Sequence, residues 1–290
     1  GHAGRAALAA AAAACVAAAA ASPGAQTFER VLVPEAVAAP GARCLDGSPV
    51  GYYVAPAAAG SANATSWVVW LKGGGWCYTP EDCAARASGG DGSSSHWPAT
   101  MDDPSGGAFL SADPAVSWFH DWNHVFVPYC DGASWAGDRD EPVPSPSGGN
   151  PLWFRGRRNT AAVIGSLQRR YGLGGATRLL LTGGSAGGLA AVLKADEWAG
   201  ALPKAEVKAM PVAGWFLAHA SRAGGGGYVD EMRAAWETHN MSGGVPPGCV
   251  RDAEARGLEA WRCAFAPDAA EHVRAPLFLL QGAYDQWQAE

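Results

Sequence analysis

The sequence predicts an α/β fold in which a mostly parallel sheet is covered on both faces by helices. Two segments are typical of buried strands: the continuous apolar run Trp67–Leu71, and Arg178–Thr182, which carries three consecutive Leu. Apolar residues at helical spacing between Asn159 and Tyr171 indicate a helix between strands. Because strands that alternate with helices are joined by crossovers on the sheet faces, this order favours parallel pairing.

The remaining elements continue this alternation. Gly183–Gly188 is predicted to turn the chain, and two segments rich in Gly, Ser, Asp and Pro, 88–114 and 131–151, are predicted to be long loops. Since no repeat or linker is visible, we expect residues 26–290 to form one domain. The other predicted strands are Val125–Val127, Val207–Val212 and Leu277–Leu280, and the other predicted helices are Leu189–Trp198 and Val229–His239.

Composition excludes two classes of protein. Among 290 residues, 48% are hydrophobic, 17% are charged and 13 are Trp, which excludes an intrinsically disordered chain. The 21 Lys and Arg against 27 Asp and Glu give a net charge of −6. Without a basic excess to neutralise phosphates, a nucleic-acid partner is not expected.

The first residues resemble an export signal. Arg5 precedes the Ala-rich run Ala6–Ala21, so residues 1–22 are predicted to be a secretory signal peptide, with a low-complexity Ala tail as the alternative. The run is too short to span a bilayer, and no other stretch could do so. We therefore expect a secreted protein, extracellular or in a cell wall, with a vacuolar endpoint left open. Asn63 and Asn240 begin glycosylation acceptor triplets.

Cysteine usage supports export. Without Cys15 in the leader, six cysteines remain, an even number that suggests disulfides. Six cysteines allow fifteen pairings, of which spacing favours Cys77–Cys83 and Cys249–Cys263, leaving Cys44–Cys130. No clustered Cys/His set with zinc-ligand spacing is present, so no metal or other cofactor is expected.

Gly183–Gly187 fits the pattern G-x-S-x-G between a predicted strand and a predicted helix. This context is what a nucleophile elbow requires, with Ser185 on a sharp turn at the carboxyl edge of the sheet. The amide of Ala186 would lie at a helix N-terminus, where it could face an oxyanion. The alternative is an ordinary glycine-rich turn or a phosphate-binding loop.

A second glycine-rich segment, Lys72–Cys77, follows an earlier predicted strand. A hydrolase of this kind needs such a loop to supply further oxyanion donors, and the amides of Gly74 and Gly75 are the candidates. The alternative is a tight turn pinned by Cys77. Trp76 either walls the site or fills the core.

The candidate acid is Asp285, which follows the last apolar strand, as the chain order Ser, acid, His requires. The alternative role is a capping Asp at the start of a helix. No histidine follows Asp285, and His219 is the one residue considered as a substitute base. Because a serine needs a base, we expect either an unusual base or a histidine beyond Glu290, in a chain that is incomplete at its C-terminus.

Segments spread from Cys44 to Gln288 together resemble the pectin acetylesterase family, which also contains the animal deacylase Notum. They occur in family order. The matching segments are Cys44–Pro49, Trp67–Cys77 with Cys83, Trp122-Asn123, Tyr129–Ser134, Phe154–Arg158, Gly184–Gly188, Pro276–Phe278 and Tyr284–Gln288.

The resemblance implies an α/β-hydrolase-like fold and a secreted carboxylic-ester hydrolase. It implies that Ser185 is the nucleophile and Asp285 the triad acid, that the oxyanion amides belong to Gly74, Gly75 and Ala186, and it is consistent with the Cys44–Cys130 and Cys77–Cys83 pairs. The sequence departs from the family pattern in two places. Lys72 stands where the family usually has Glu, and the C-terminal region that carries the family's histidine is missing.

The resulting hypothesis is a monomeric serine esterase that removes O-acetyl groups from a cell-wall polysaccharide such as pectin. A Notum-like protein deacylase is one alternative, and it would need a deep apolar pocket for a long acyl chain. A truncated, non-catalytic glycan-binding protein is the other.

Overall fold

One seven-stranded sheet organises the structure, a computed structural model that describes residues 26–33, 41–102, 104–219 and 227–289. The predicted signal peptide, residues 1–22, lies outside the described residues. The strands are β1 Phe28–Leu32, β2 Gly51–Ala55, β3 Ser66–Leu71, β4 Thr100–Met101, β5 Asn123–Val127, β6 Arg178–Gly184 and β7 Glu206–Val212.

The sheet is mixed, with the spatial order β4-β1-β2-β5-β3-β6-β7. β4, β1 and β2 pair antiparallel, whereas β5, β3, β6 and β7 run parallel. Residues 277–280 continue the parallel half beyond β7, since Phe278 N donates to Ala209 O and Leu280 N to Pro211 O. The carboxyl ends of the parallel strands therefore meet at one edge, where ligand sites of α/β folds lie.

Helices cover the sheet. α1 begins at Pro80, where the Thr79 hydroxyl accepts the Asp82 amide as an N-cap, and α2 ends before Gly172, whose φ of +73° suits glycine. The helices are α1 Pro80–Ala87, α2 Gly156–Tyr171, α3 Ala186–Ala201, α4 Tyr228–His239, α5 Pro247–Ala255, α6 Ala266–Ala270 and α7 Gln286–Ala289.

α3 is the central helix and is apolar on nearly every side. Leu189, Val192 and Ala195 are all fully buried, because α3 packs on β6 and β7 and is itself covered by α6. A second apolar cluster, which includes Tyr53 and Phe126, lies on the opposite face of the sheet. The helix that follows the predicted nucleophile is thus anchored in the larger core.

The structure confirms the α/β-hydrolase-like class, the predicted strands that form β3, β5, β6 and β7, and the predicted helices that form α2, α3 and α4. The predicted strand Leu277–Leu280 is present only as two isolated parallel bridges, to Ala209 and Val212 of β7. The predicted turn Gly183–Gly188 was too wide, since β6 extends through Gly184 and α3 begins at Ala186. The antiparallel strands β1 and β2 were not predicted. Their pairing with each other and with β5 joins residues distant in sequence, which a local pattern does not reveal.

Three disulfides confirm the pairing that spacing favoured. Cys44–Cys130 joins residues 86 positions apart, and Cys77–Cys83 ties the loop after β3 to α1. Cys249–Cys263 fastens α5 to the segment that precedes α6. Within the described residues, no helix is long and apolar enough to cross a bilayer.

Candidate active site

Ser185 forms the whole turn between β6 and α3. Its φ of +55° lies in the left-handed region, which is costly for a residue with a side chain. Two hydrogen bonds hold it, because its amide donates to Val212 O at 2.9 Å and its carbonyl accepts from Leu189 N at 3.0 Å. The side chain is exposed at the carboxyl edge of the sheet. This is the geometry of a nucleophile elbow.

The loop of residues 72–76 lies directly beside this elbow, since Leu71 of β3 is the register partner of Gly183 of β6. The contact is so close that a Cβ on Gly73 would lie 2.2 Å from Gly184 O and 3.1 Å from Ser185 Cβ. Glycine is therefore required at residue 73 for the loop to reach the serine.

Charged groups hold the carbonyls of this loop on its outer side. Arg86 Nη2 donates to Gly74 O at 2.7 Å, and Lys72 Nζ donates to Gly73 O at 3.2 Å. The Lys72 ammonium also forms an ion pair with Asp91 Oδ1 at 2.5 Å. Lys72, which departs from the family pattern, is therefore one of the charged residues that hold the loop in place.

Three backbone amides near the elbow have no hydrogen-bond acceptor among the described residues. Within the described part of the chain, the amides of Gly74, Gly75 and Ala186 donate to no protein acceptor. Ala186 is the first residue of the 16-residue helix α3, whose N-terminus carries partial positive charge. Unpaired amides beside an exposed serine suit the binding of a developing oxyanion.

Asp285 lies in the turn that precedes α7, beyond the segment that extends the sheet past β7. Its Oδ1 accepts the amide of Gln288 at 3.0 Å, and its Oδ2 accepts Gln281 Nε2 at 3.0 Å. The carboxylate thus caps the short helix, as the alternative interpretation expected. It also lies after the carboxyl end of a strand, on the edge of the sheet that carries Ser185.

The two buried histidines do not serve as a base for Ser185. Neither buried histidine contacts it: His124 is bonded to Gln26 and Phe119, and His239 is bonded to Cys77 O. His219 follows β7 on the same edge as the serine, with an exposed side chain.

His239 lies against a disulfide rather than in a metal centre. Its Nε2 lies 3.6 Å from both Cys77 Sγ and Cys83 Sγ, which would be a ligand-like spacing for free thiolates. The two sulfurs are bonded to each other, so they lack the negative charge that a metal ligand needs. The histidine packs edge-on against Phe154 instead.

Acid is expected to destabilise the fold through His239. Desolvation by complete burial lowers the pKa of His239 to about 4, whereas an unfolded histidine titrates near 6.5. Between these pH values the unfolded chain binds the proton and the folded chain does not, so stability falls as pH falls. We expect His239→Gln to remove about 3 kcal/mol of this dependence, measured by urea unfolding at pH 7 and pH 4.

The pH dependence of stability must be compared between wild type and variant, because Asp131 changes stability with pH in the opposite sense to His239. Burial raises the pKa of Asp131 to about 6, so its contribution to stability is lost as pH rises from about 4 to 6. Subtraction of wild type from variant cancels this contribution. The exposed His96 provides the control, His96→Gln, and equal pH dependence in wild type and His239→Gln would contradict the assignment.

Four aromatic rings from four separate segments meet beside the loop of residues 72–76. Trp287 lies 5.8 Å from Trp76, 5.3 Å from Phe216 and 5.0 Å from Tyr228, measured between ring centroids. We call these four residues the aromatic cluster. Sequence reasoning singled out Trp76 but missed Phe216 and Tyr228, since no spacing pattern links them. The cluster occupies the space next to the loop with apolar surface.

The two glycosylation triplets differ in their surroundings. The side-chain amide of Asn63 donates to Asp121 Oδ2 at 2.7 Å and its carbonyl accepts from Arg178. Asn240 is exposed at the C-cap of α4 in the left-handed conformation. Asn240 is the more exposed of the two side chains, although its amide also donates to Asp138 O at 3.3 Å.

Comparison with known proteins places the chain in a family. The Pectinacetylesterase family model matches residues 22–290. The chain belongs to the pectinacetylesterase family. It is 34% identical over 261 residues to pectin acetylesterase 11 of Arabidopsis thaliana, which covers 88% of this chain and 62% of that protein.

Animal members of the family are also similar. Human palmitoleoyl-protein carboxylesterase NOTUM is 32% identical over 259 residues, covering 84% of this chain and 49% of that protein. The solved structure of the Wnt deacylase Notum from Drosophila superposes with a TM-score of 0.75 at 27% identity, covering 91% of this chain and 73% of that one. The chain thus spans about half to three-fifths of the length of these curated relatives.

Proposed function

We propose that this protein is a serine carboxylesterase that removes acetyl groups from an acetylated polysaccharide. The observation that carries the proposal is the elbow: an exposed Ser185 with a left-handed φ, with the unpaired amides of residues 74, 75 and 186 beside it. Membership of the pectinacetylesterase family supports the same reaction class, and the names of its relatives describe ester hydrolysis.

In the proposed reaction, the Ser185 hydroxyl attacks the acetyl carbonyl carbon while a base takes its proton. The amides of Gly74, Gly75 and Ala186 stabilise the oxyanion that forms. The intermediate collapses, the sugar oxygen leaves with the proton, and water then releases acetate from the acyl-serine. Asp285 orients the histidine that acts as base. We assign that histidine to none of the described residues.

A short acyl group is favoured over a long one. The aromatic cluster packs ring against ring beside the loop, and Trp76 within it is buried. A long acyl chain needs a deep apolar cavity, whereas an acetyl group needs only space for one methyl. We therefore prefer deacetylation to the deacylation of a lipidated protein, the activity that the name of NOTUM describes for that relative.

Replacement of Trp287 by Ala is expected to widen the range of acyl chains. Trp287 is half-exposed and contacts the other three rings from the rim, so its removal opens apolar space without emptying the core. Each buried CH₂ of a longer acyl chain contributes about 0.8 kcal/mol. We expect the ratio of kcat/KM for p-nitrophenyl octanoate over acetate to rise about tenfold or more.

The matched control for this substitution is Trp118→Ala. Trp118 is 93% exposed and lies outside the aromatic cluster, so its removal should leave the octanoate-to-acetate ratio unchanged. An unchanged ratio in Trp287→Ala as well would mean that the cluster does not limit acyl length.

The proposed activity is tested on the protein produced from its complete coding sequence. We expect release of acetate from acetylated pectin and hydrolysis of p-nitrophenyl acetate, with octanoate a poor substrate. Faster hydrolysis of octanoate than of acetate would favour the deacylase alternative. Binding of acetylated pectin without release of acetate would favour the non-catalytic alternative.

We also propose that the protein acts outside the cell. Three disulfides tie together segments of the described chain, and such bonds persist in oxidising compartments. Outside the cell, the protein would have access to a polymeric cell-wall substrate. Detection of the tagged protein in the culture medium or wall fraction tests the location.

A further inference from the structure

Ser134 contacts both segments that carry the candidate oxyanion amides. Its side chain is fully buried. The Ser134 hydroxyl accepts a hydrogen bond from Trp76 Nε1 at 2.9 Å and donates one to Ala186 O at 2.8 Å. Trp76 directly follows Gly75, and Ala186 bears the third amide. One buried hydroxyl therefore joins the loop after β3 to the start of α3.

The backbone at Ser134 is held in an unfavourable conformation. Ser134 and Trp135 have φ values of +50° and +57°, two successive left-handed residues that both bear side chains. The Ser134 amide donates to the Tyr129 hydroxyl at 2.9 Å, and Asp131 Oδ2 accepts the amide of Ala133. Such outliers persist where surrounding contacts enforce them, and they concentrate at functional sites.

The left-handed backbone at Ser134 determines where its hydroxyl lies. In the observed conformation, the hydroxyl lies between the indole of Trp76 and the carbonyl of Ala186, and both of its hydrogen-bonding roles are satisfied. Oxyanion donors act only when their spacing matches the developing charge, and displacements near 1 Å cost about 100-fold in rate. A rigid connection between the two donor segments would maintain that spacing.

We propose that Ser134 is a positioning residue for ester hydrolysis, which sets the distance between the amides of Gly74 and Gly75 and the amide of Ala186. This role rests on the proposed function. Ser134 acts through Trp76 and Ala186, without contact to the substrate. Its loss should therefore lower kcat while leaving KM nearly unchanged, because transition-state stabilisation decreases and ground-state binding does not.

The test compares Ser134→Gly with Ser134→Ala. Both remove the hydroxyl, but glycine also accepts the left-handed φ without strain, so Ser134→Gly should melt at a higher temperature than Ser134→Ala. We expect both variants to lose about 10- to 100-fold in kcat for p-nitrophenyl acetate, with KM within about threefold of wild type. A merely structural role predicts that the activity follows the melting temperature.

A double-mutant cycle adds a second readout. Trp76→Phe keeps a ring in the aromatic cluster but removes the Nε1 donor to Ser134. If both residues act through the same hydrogen bond, the double variant loses less kcat than the product of the two single losses. Independent losses that multiply would overturn the role of this bond.

The outcomes separate this inference from the proposed function. Hydrolysis that depends on Ser185 but is unchanged in Ser134→Gly would overturn the positioning role alone. Hydrolysis that does not depend on Ser185 would overturn both.

Discussion

Replacement of Ser185 by Ala is expected to reduce hydrolysis of p-nitrophenyl acetate at least about 10⁴-fold, to near the uncatalysed rate, because the nucleophilic oxygen is lost. The fold should be retained, since Ser185 is exposed and the two hydrogen bonds that hold its turn use backbone atoms. Ala tolerates a left-handed φ no worse than Ser does. We therefore expect kcat to collapse while the melting temperature changes little.

The same assay distinguishes the two roles of Asp285. Asp285→Asn retains a side-chain oxygen that can still cap the Gln288 amide, but it removes the negative charge. A triad acid predicts a loss of kcat of about 10³- to 10⁴-fold, far beyond the small loss of stability expected because Gln281 Nε2 loses its carboxylate acceptor. Wild-type kcat in Asp285→Asn would show that the residue is a cap alone, and wild-type kcat in Ser185→Ala would exclude the serine mechanism.

Replacement of Gly187 by Ala is expected to cause a large loss of stability. A Cβ on Gly187 would lie 2.0 Å from Leu71 O and 2.8 Å from the Leu71 carbonyl carbon, both of them backbone atoms of β3. Because neither can rotate away, α3 must move from the sheet. We expect a loss of about 3 kcal/mol or more in the free energy of unfolding, and a loss of activity as Ala186 is displaced.

Gly200→Ala provides the matched control in the same helix. A Cβ at Gly200 would have no atom within 4 Å, so the change adds only helix propensity. We expect it to stabilise the protein by about 0.5–1 kcal/mol in urea unfolding. If Gly187→Ala unfolded at the same urea concentration as Gly200→Ala, the close packing of α3 on β3 would be contradicted.

Local sequence predicted the elbow well because its determinants are adjacent in the chain. The apolar run of β6, the small residues around Ser185 and the apolar helix α3 lie within about 25 residues. The exact width of the turn was missed, because the left-handed φ is confined to Ser185 and residue types alone do not specify where a strand stops. The disulfides followed from spacing because two of the loops they close are short.

The antiparallel half and the aromatic cluster were not predicted, for a different reason. β2 pairs with β5 through residues such as Tyr53 and Phe126, which are far apart in sequence. The rings of the cluster come from the loop after β3, the segment after β7, α4 and α7. No period or motif links such segments before the chain has folded.

The sequence by itself therefore determined the α/β class, the position of Ser185 between a strand and a helix, and the glycine-rich loop that accompanies it, because each depends on neighbouring residues. Only the tertiary structure decided which carbonyls of that loop turn outward and which rings line it. It also decided which hydroxyl joins the loop to the start of α3. Those features depend on contacts such as Arg86 to Gly74 and Ser134 to Ala186, which exist only once distant segments pack together.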